Sequence, residues 1–536
     1  MFILCSNSHL DKALYTNQYA FNAQSRKDAV MSLAVVYSRA KVGIEAPLVH
    51  VEAHLSNGLP AFSIVGLPEA AVKESKDRVR SAILNSGFEF PSSRITLNLA
   101  PADLPKEGGR FDLAIALGIL AASEQIPVEP LKQHEFLGEL ALTGAIRPVS
   151  GIIPAALNAT DANHTLVLPD DNAQEASLSR GSHMTSNHLL EVCAYLSQNQ
   201  PLKHLDVQPM VIEQYHGPDL AQVKGQHHAK RALEICAAGN HNLLMSGPPG
   251  TGKSMLAHCL PGILPALNEQ EALEVASLYS VSTQPKRAYF TTRPFRQPHH
   301  TSSGVALVGG GTHPKPGEIS LAHHGVLFLD EIPEFNRHVL DVLREPLETG
   351  HISISRAAQQ VDYPASFQLI AAMNPCPCGY LKQPNKRCGD CSEAKAVKYQ
   401  SAVSGPLLDR IDIQIEVPAL AKGLLSSGAQ AESSTSVKTR VEQARALQMD
   451  RQGCPNAQLS QQQMSYVCNL SPQLSQMLED ALDKLGLSAR AYHRIIKVAR
   501  TIADLAQSPS IDKAHLLEAL SYRQMERRLA PAVNSV

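Results

Sequence analysis

Residues 247–254 read GPPGTGKS, a complete match to the phosphate-loop pattern G-x-x-x-x-G-K-[ST]. Its glycines let the backbone curl so that successive N–H groups face phosphate oxygens. Lys253 supplies a point charge between the β- and γ-phosphates, and Ser254 offers a hydroxyl to magnesium. Gly247, Pro248, Pro249, Gly250, Thr251, Gly252, Lys253 and Ser254 are therefore assigned to ATP and Mg2+. Upstream, DLAQVKGQHHAKRALEICAAG (residues 219–239) predicts one helix, followed by the apolar strand HNLLMSG (241–247). Gln226 in that segment joins the nucleotide set. Strand, glycine loop and helix in this order predict an α/β domain with a parallel sheet.

Two further strands complete the nucleotide chemistry. In GVLFLDEIPEF (325–335), four apolar residues predict a buried parallel strand with two carboxylates at its carboxyl end, where such sheets bind ligands. Asp330 is placed to hold magnesium through water, and Glu331 to polarise the attacking water; the plainer alternative is a strand that ends in a helix cap. FQLIAAMNP (367–375) predicts a third buried strand whose Asn374 amide orients that water. LLDRIDI (407–413) puts Arg410 on a turn, where it either salt-bridges locally or reaches a neighbouring subunit's γ-phosphate.

The chain has 536 residues, too many for one core, and 44% are apolar. No apolar run is long enough for a bilayer span; Leu113–Ala122 reads as a buried helix. Residues 1–30 lack a signal-peptide pattern and are expected to be a disordered or misassigned extension, so a cytoplasmic location is expected. Residues 31–197 alternate strand and helix patterns, 198–217 read as a linker, and 218–421 form the phosphate-loop domain. Residues 422–437 are a Ser/Gly/Ala/Gln junction, and 438–536 an all-α lid. A net charge of −2 excludes a basic nucleic-acid binder overall, so any DNA contact must be a local patch.

Six of the ten cysteines are scattered, but Cys376, Cys378, Cys388 and Cys391 cluster as C-x-C, nine residues, C-x-x-C. Four soft thiolates suit tetrahedral Zn2+, although the C-x-C half is tighter than usual. Reduced thiols or a redox pair are the alternatives.

The ordered motifs resemble AAA+ proteins of the magnesium-chelatase and replicative-helicase branch. From Met31 onward the chain resembles the ComM/YifB family, on GIEAPLVHVEAHLSNGLPAFSIVGLPEAAVKESKDRVRSAI (43–83), FRQPHHTSSGVALVGGG (295–311) and LSARAYHRIIKVARTIADL (487–505). That resemblance implies a hexameric ring driving branch migration of recombining DNA in natural transformation, with branched or single-stranded DNA and recombination proteins as partners. It implies sensor 1 at Asn374, the arginine finger at Arg410, and sensor 2 at Arg490 in preference to Arg494. It places Arg293 and Arg296 in a helix-2 insert as DNA contacts, and Arg356 in the hairpin GHISISRAAQQVDY (350–363) as a phosphate-gripping cation, with a solvated surface charge as the alternative. The front domain resembles Lon proteases, yet Arg110 in PKEGGRFD and Ile153 in TGAIRPVSGII stand where that family carries its serine and lysine. Without an amine to activate a hydroxyl, this route to peptide hydrolysis is closed.

The fold expected is therefore multidomain α/β: a Lon-protease-like front domain, an AAA+ domain with a parallel sheet, and an all-α lid. A DNA motor, a chelatase-type motor, an ATP-dependent protease and a regulatory ATPase scaffold are the function classes weighed. DNA-stimulated ATPase activity separates the first from the others.

Overall fold

A computed structural model describes residues 32–66, 70–207, 215–282, 291–311, 314–356, 359–381, 391–420 and 431–523. Residues 1–30 and most of the expected junction lie outside them. The chain divides into two units, Met1–Pro209 and Met210–Val536.

The first unit is built on an eight-stranded mixed sheet. Strand Leu48–Ser56 shows why it forms: Val49, Val51, Ala53 and Leu55 alternate inward with polar neighbours outward. It pairs antiparallel with Ser32–Arg39 and with Arg94–Ala100. Lys203–His204 pairs with His183–Ser186, so residues assigned to the linker still belong to this sheet. Helix Asp112–Ala122 is buried along its whole length, as its apolar run requires. Its Asp112 carboxylate is satisfied by Arg78 Nε at 2.8 Å. Among the described residues no helix is long and apolar enough to cross a membrane.

Arg110 is buried in this unit and donates to the Ser150 carbonyl at 3.3 Å, while Ile153 is buried on helix Ile152–Asp161. The Lys41 ammonium lies 3.5 Å from the Ser150 hydroxyl but also 3.6 Å from the Glu107 carboxylate.

The second unit contains a five-stranded all-parallel sheet. Its spatial order is Phe295–Arg296, Val326–Leu329, Gln368–Met373, Leu243–Ser246, Ile413–Glu416. The three central strands are buried at every position, as continuous apolar runs in a parallel sheet must be. Their common direction brings Gly247, Asp330 and Asn374 to one edge.

Two expectations about helices need correction. The helix predicted over 219–239 begins at His227, because Gly225 and Gln226 adopt left-handed backbone with φ of 60° and 52° and break the hydrogen-bond ladder. The first lid helix spans Ser434–Gln452, starting inside the expected junction, where Ser433 caps it by accepting from Ser436 N. The lid shares its core with the sheet layer: Val437, Val441, Ile495 and Ile502 join Ala232, Ile235 and Ile413 in one apolar cluster.

Candidate functional site

The phosphate loop joins strand Leu243–Ser246 to helix Lys253–Cys259. Gly250 and Gly252 have φ of 75° and 89°, a region closed to most side chains, so the loop's turns require glycine at both positions. Lys253 Nζ donates to the carbonyls of Gly247 (2.6 Å) and Pro248 (2.9 Å) and to Asn374 Oδ1 (3.2 Å). Burial pushes the Lys253 ammonium below its ordinary value, and Asp330 and Glu331 oppose that shift. The loop, Asp330, Glu331, Met373 and Asn374 line a cleft of about 300 Å³.

Ser254 Oγ donates to Asp330 Oδ2 at 2.6 Å, so the hydroxyl and carboxylate assigned to magnesium are adjacent. Glu331 has φ of 52°, an uncommon conformation for a non-glycine residue and one that aims its half-exposed carboxylate at the cleft's mouth. His300 Nδ1 lies 3.8 Å from that carboxylate. Gln226 Nε2 donates to Pro418 O at 2.8 Å and to Thr251 O at 3.4 Å, tying the entry segment to the phosphate loop.

Arg410 and Arg490 are elsewhere. They line a second cleft of about 850 Å³ with Asn242, Phe367 and Asp412, residues that precede their strands. The two clefts share no lining residue. Strands of four to six residues separate them, roughly 13–20 Å at 3.3 Å per residue. Here Arg410 Nη1 donates to Pro406 O at 2.6 Å and Nη2 to Glu348, the local pairing weighed as the alternative to a finger. Arg490 is mostly exposed, 3.8 Å from Asp409. Arg494 is committed to Asp412 Oδ1 at 2.5 Å and to Arg410 O at 3.2 Å.

Asp412 thus clamps the lid to the sheet, a role with no sequence signal because Arg494 is 82 residues away. Burial alone raises its carboxyl, but Arg494, His241 and the Asn242 N–H more than offset that and hold it well below the usual carboxylate range. A depressed folded value stabilises above the unfolded value of about 3.9 and fades as pH falls below it. Asp412→Asn is expected to destabilise the second unit by about 3–5 kcal/mol at pH 7, since it leaves Arg494 unpaired. Denaturant unfolding at pH 7 and pH 3 checks this: the gap between wild type and variant should shrink at pH 3, and equal midpoints at pH 7 would refute the clamp.

Arg293 and Arg296 do not present free cations. Arg293 is bonded to Glu271 (2.9 Å) and to the carbonyls of Pro265 and His324, and Arg296 makes a two-point pair with Glu318 at 2.6 and 2.7 Å. Carboxylates 22 residues away in sequence pair with both, so a DNA contact by either arginine would compete with these internal bonds. The expected hairpin forms, His351–Arg356 against Gln359–Pro364, with Arg356 at its last paired position; the Arg356 side chain lies outside the described residues. Of the four clustered cysteines, Cys388 is also outside them. The sulfurs of Cys376, Cys378 and Cys391 lie within 4.8 Å of one another. Tetrahedral Zn–S bonds of about 2.3 Å set sulfurs roughly 3.8 Å apart, so these three fit a zinc ion.

The chain matches three family descriptions in succession. Residues 51–172 match Subunit ChlI of Mg-chelatase, 219–425 match Magnesium chelatase, subunit ChlI, and 431–523 match its C-terminal part. Competence protein ComM of Haemophilus influenzae is 52% identical over 94% of this chain and all of its own length. YifB of Salmonella typhimurium is 50% identical over 93% of this chain and 98% of its own. The Magnesium-chelatase 38 kDa subunit of Cereibacter sphaeroides is 26% identical over 28% of this chain and 51% of its own length. With phosphate loop, acidic strand end and lid in this order, the chain belongs to the ComM/YifB family of magnesium-chelatase-like AAA+ proteins.

Proposed function

We propose that this protein is an ATP-hydrolysing motor that assembles into a homohexameric ring and drives branch migration of recombining DNA in natural transformation. One observation carries the reading: the phosphate loop and the two arginines face opposite edges of one sheet. A single subunit therefore holds Lys253, Ser254, Asp330, Glu331 and Asn374 at its cleft but, among the described residues, brings neither Arg410 nor Arg490 to it. A neighbour's Arg410 and Arg490 complete the site when subunits pack edge to edge in a closed ring. Arg410 leaves Glu348 to do so, which makes hydrolysis conditional on assembly. Ser254 and Asp330 would hold Mg2+, and Cys376, Cys378 and Cys391, with Cys388, would hold Zn2+.

The reading of DNA as substrate rests on the competence name of the Haemophilus relative and on the hairpin carrying Arg356, a cation suited to gripping phosphates without reading bases. The chelatase reading is weaker because the chelatase relative corresponds to little more than a quarter of this chain. Peptide hydrolysis is disfavoured by Arg110 and Ile153, which stand where a serine and a lysine would be needed. A cytoplasmic location goes with this role.

The test is ATP-dependent dissociation of a synthetic four-way DNA junction. Wild type is expected to separate the arms, Glu331→Gln to leave them joined, and Arg356→Ala to weaken DNA-stimulated turnover. A wild type that hydrolyses ATP but leaves the junction intact would overturn the motor in favour of a regulatory ATPase.

A further inference from the structure

Asn242 stands where three strands of the parallel sheet begin: Leu243–Ser246, Gln368–Met373 and Ile413–Glu416. Its N–H donates to Asp412 Oδ2 at 2.9 Å, and its carbonyl accepts from Asp412 N and Ile413 N at 3.2 and 3.0 Å. The side-chain Oδ1 accepts from Leu369 N at 2.8 Å, which leaves Nδ2 as the donor, and Nδ2 donates to the Arg410 carbonyl at 3.0 Å. Arg494 Nη1, from lid helix Ala489–Leu505, donates to that same carbonyl at 3.2 Å. The sheet and the lid therefore each take one lone pair of the Arg410 carbonyl, and the backbone there is held from two sides. The side chain is matched less well. Nη1 and Nη2 hold Pro406 O and Glu348, but Nε is buried without a hydrogen-bond partner among the described residues. A buried donor with no acceptor is unfavourable, so the guanidinium leaves this position more readily than a fully bonded one would, while its backbone stays fixed.

From this arrangement we infer that Asn242 is a positioning residue for hydrolysis in the neighbouring subunit. Its amide, together with Arg494, holds the Arg410 backbone at the point from which the arginine side chain reaches the neighbour's γ-phosphate. This rests on the role proposed above for Arg410 and adds to it the groups that aim the arginine. The geometry also supplies a rival role. The strand that starts at Leu243 runs straight into the subunit's own phosphate loop, so Asn242 is joined to that site as well. The two roles give opposite results in mixed rings.

Full-length Asn242→Ala is expected to turn over ATP on the order of 10²-fold more slowly, since a misplacement of about 1 Å is enough for such a loss. Its affinity for a fluorescent ATP analogue should stay within a few-fold of wild type. Asn242→Asp keeps the acceptor for Leu369 N and replaces the donor to Arg410 O by an oxygen. It should show the same split between turnover and binding, and it carries the test if the alanine variant fails to fold. Mixing then assigns the defect. Asn242→Ala subunits keep Glu331 but misaim Arg410, so an equal amount of Glu331→Gln, whose arginine is correctly held, should restore turnover. An equal amount of Arg410→Ala should restore none, because neither partner then places an arginine. Recovery with Arg410→Ala, or weakened binding of the ATP analogue, would move the fault to the subunit's own phosphate loop and overturn the inference. Near wild-type turnover in Asn242→Asp would overturn it too. The mixture of Arg410→Ala with Glu331→Gln is run alongside. If that pair fails to recover, the neighbour role of Arg410 is lost and this inference with it; if it recovers and Asn242→Ala with Glu331→Gln does not, only the role of Asn242 is refuted.

Discussion

Arg410→Ala is expected to lower ATP turnover by about 10³-fold or more, with nucleotide affinity held to within a few-fold. The reason is geometric. Arg410 lies at the amino ends of the strands and cannot reach its own phosphate loop, so its loss should spare binding. A transferring γ-phosphoryl group nevertheless needs a cation where charge develops, and an arginine supplies two donors in a fixed fork. Mixing separates this from a structural role. Arg410→Ala subunits retain Glu331, and Glu331→Gln subunits retain Arg410, so each is inactive alone. In rings formed from equal amounts of both, about a quarter of the sites combine one intact glutamate with one intact arginine. Turnover in the mixture should therefore recover measurably above either variant. A turnover near wild type in Arg410→Ala alone would assign the residue to its local pair with Glu348 instead.

Glu331→Gln is expected to reduce turnover by about 10²–10⁴-fold while leaving ATP binding intact. The substitution keeps the shape of the side chain but removes the group that can accept a proton from water. Its surroundings argue for chemistry over capping: Glu331 takes an uncommon φ of 52° beside Asp330 and stands at the N-cap of the helical turn Ile332–Glu334, yet its half-exposed carboxylate makes no capping hydrogen bond to that turn. A fluorescent ATP analogue and a phosphate-release assay on the same preparation give binding and turnover together. Near-normal turnover would make Glu331 a structural residue and move the search for a base to His300.

Both variants were legible as targets from the sequence, but for different reasons. The phosphate loop puts all its contacts within one turn of backbone, so eight consecutive residues specify the local geometry almost completely. Apolar runs ending in Asp330 or Asn374 specify buried parallel strands, and the rule that such sheets bind ligands at their carboxyl ends gathers those residues before any coordinates exist. The hairpin at 351–364 was readable from strict alternation in the same way.

What the sequence could not decide was pairing across distance. Arg293 and Arg296 look like free cations along the chain, and only folding brings Glu271 and Glu318 to neutralise them. The break at Gly225–Gln226 was hidden because apolar periodicity continues through it, whereas Gln226 bonds instead to Pro418, 192 residues away. Arg410 and Arg490 were identified as arginines of interest by motif, but their separation from the phosphate loop follows from strand direction and length in the assembled sheet. Local chemistry was written in the order of residues; which charges are spent internally, and which end of the sheet each arginine reaches, depended on contacts that form only when distant segments pack.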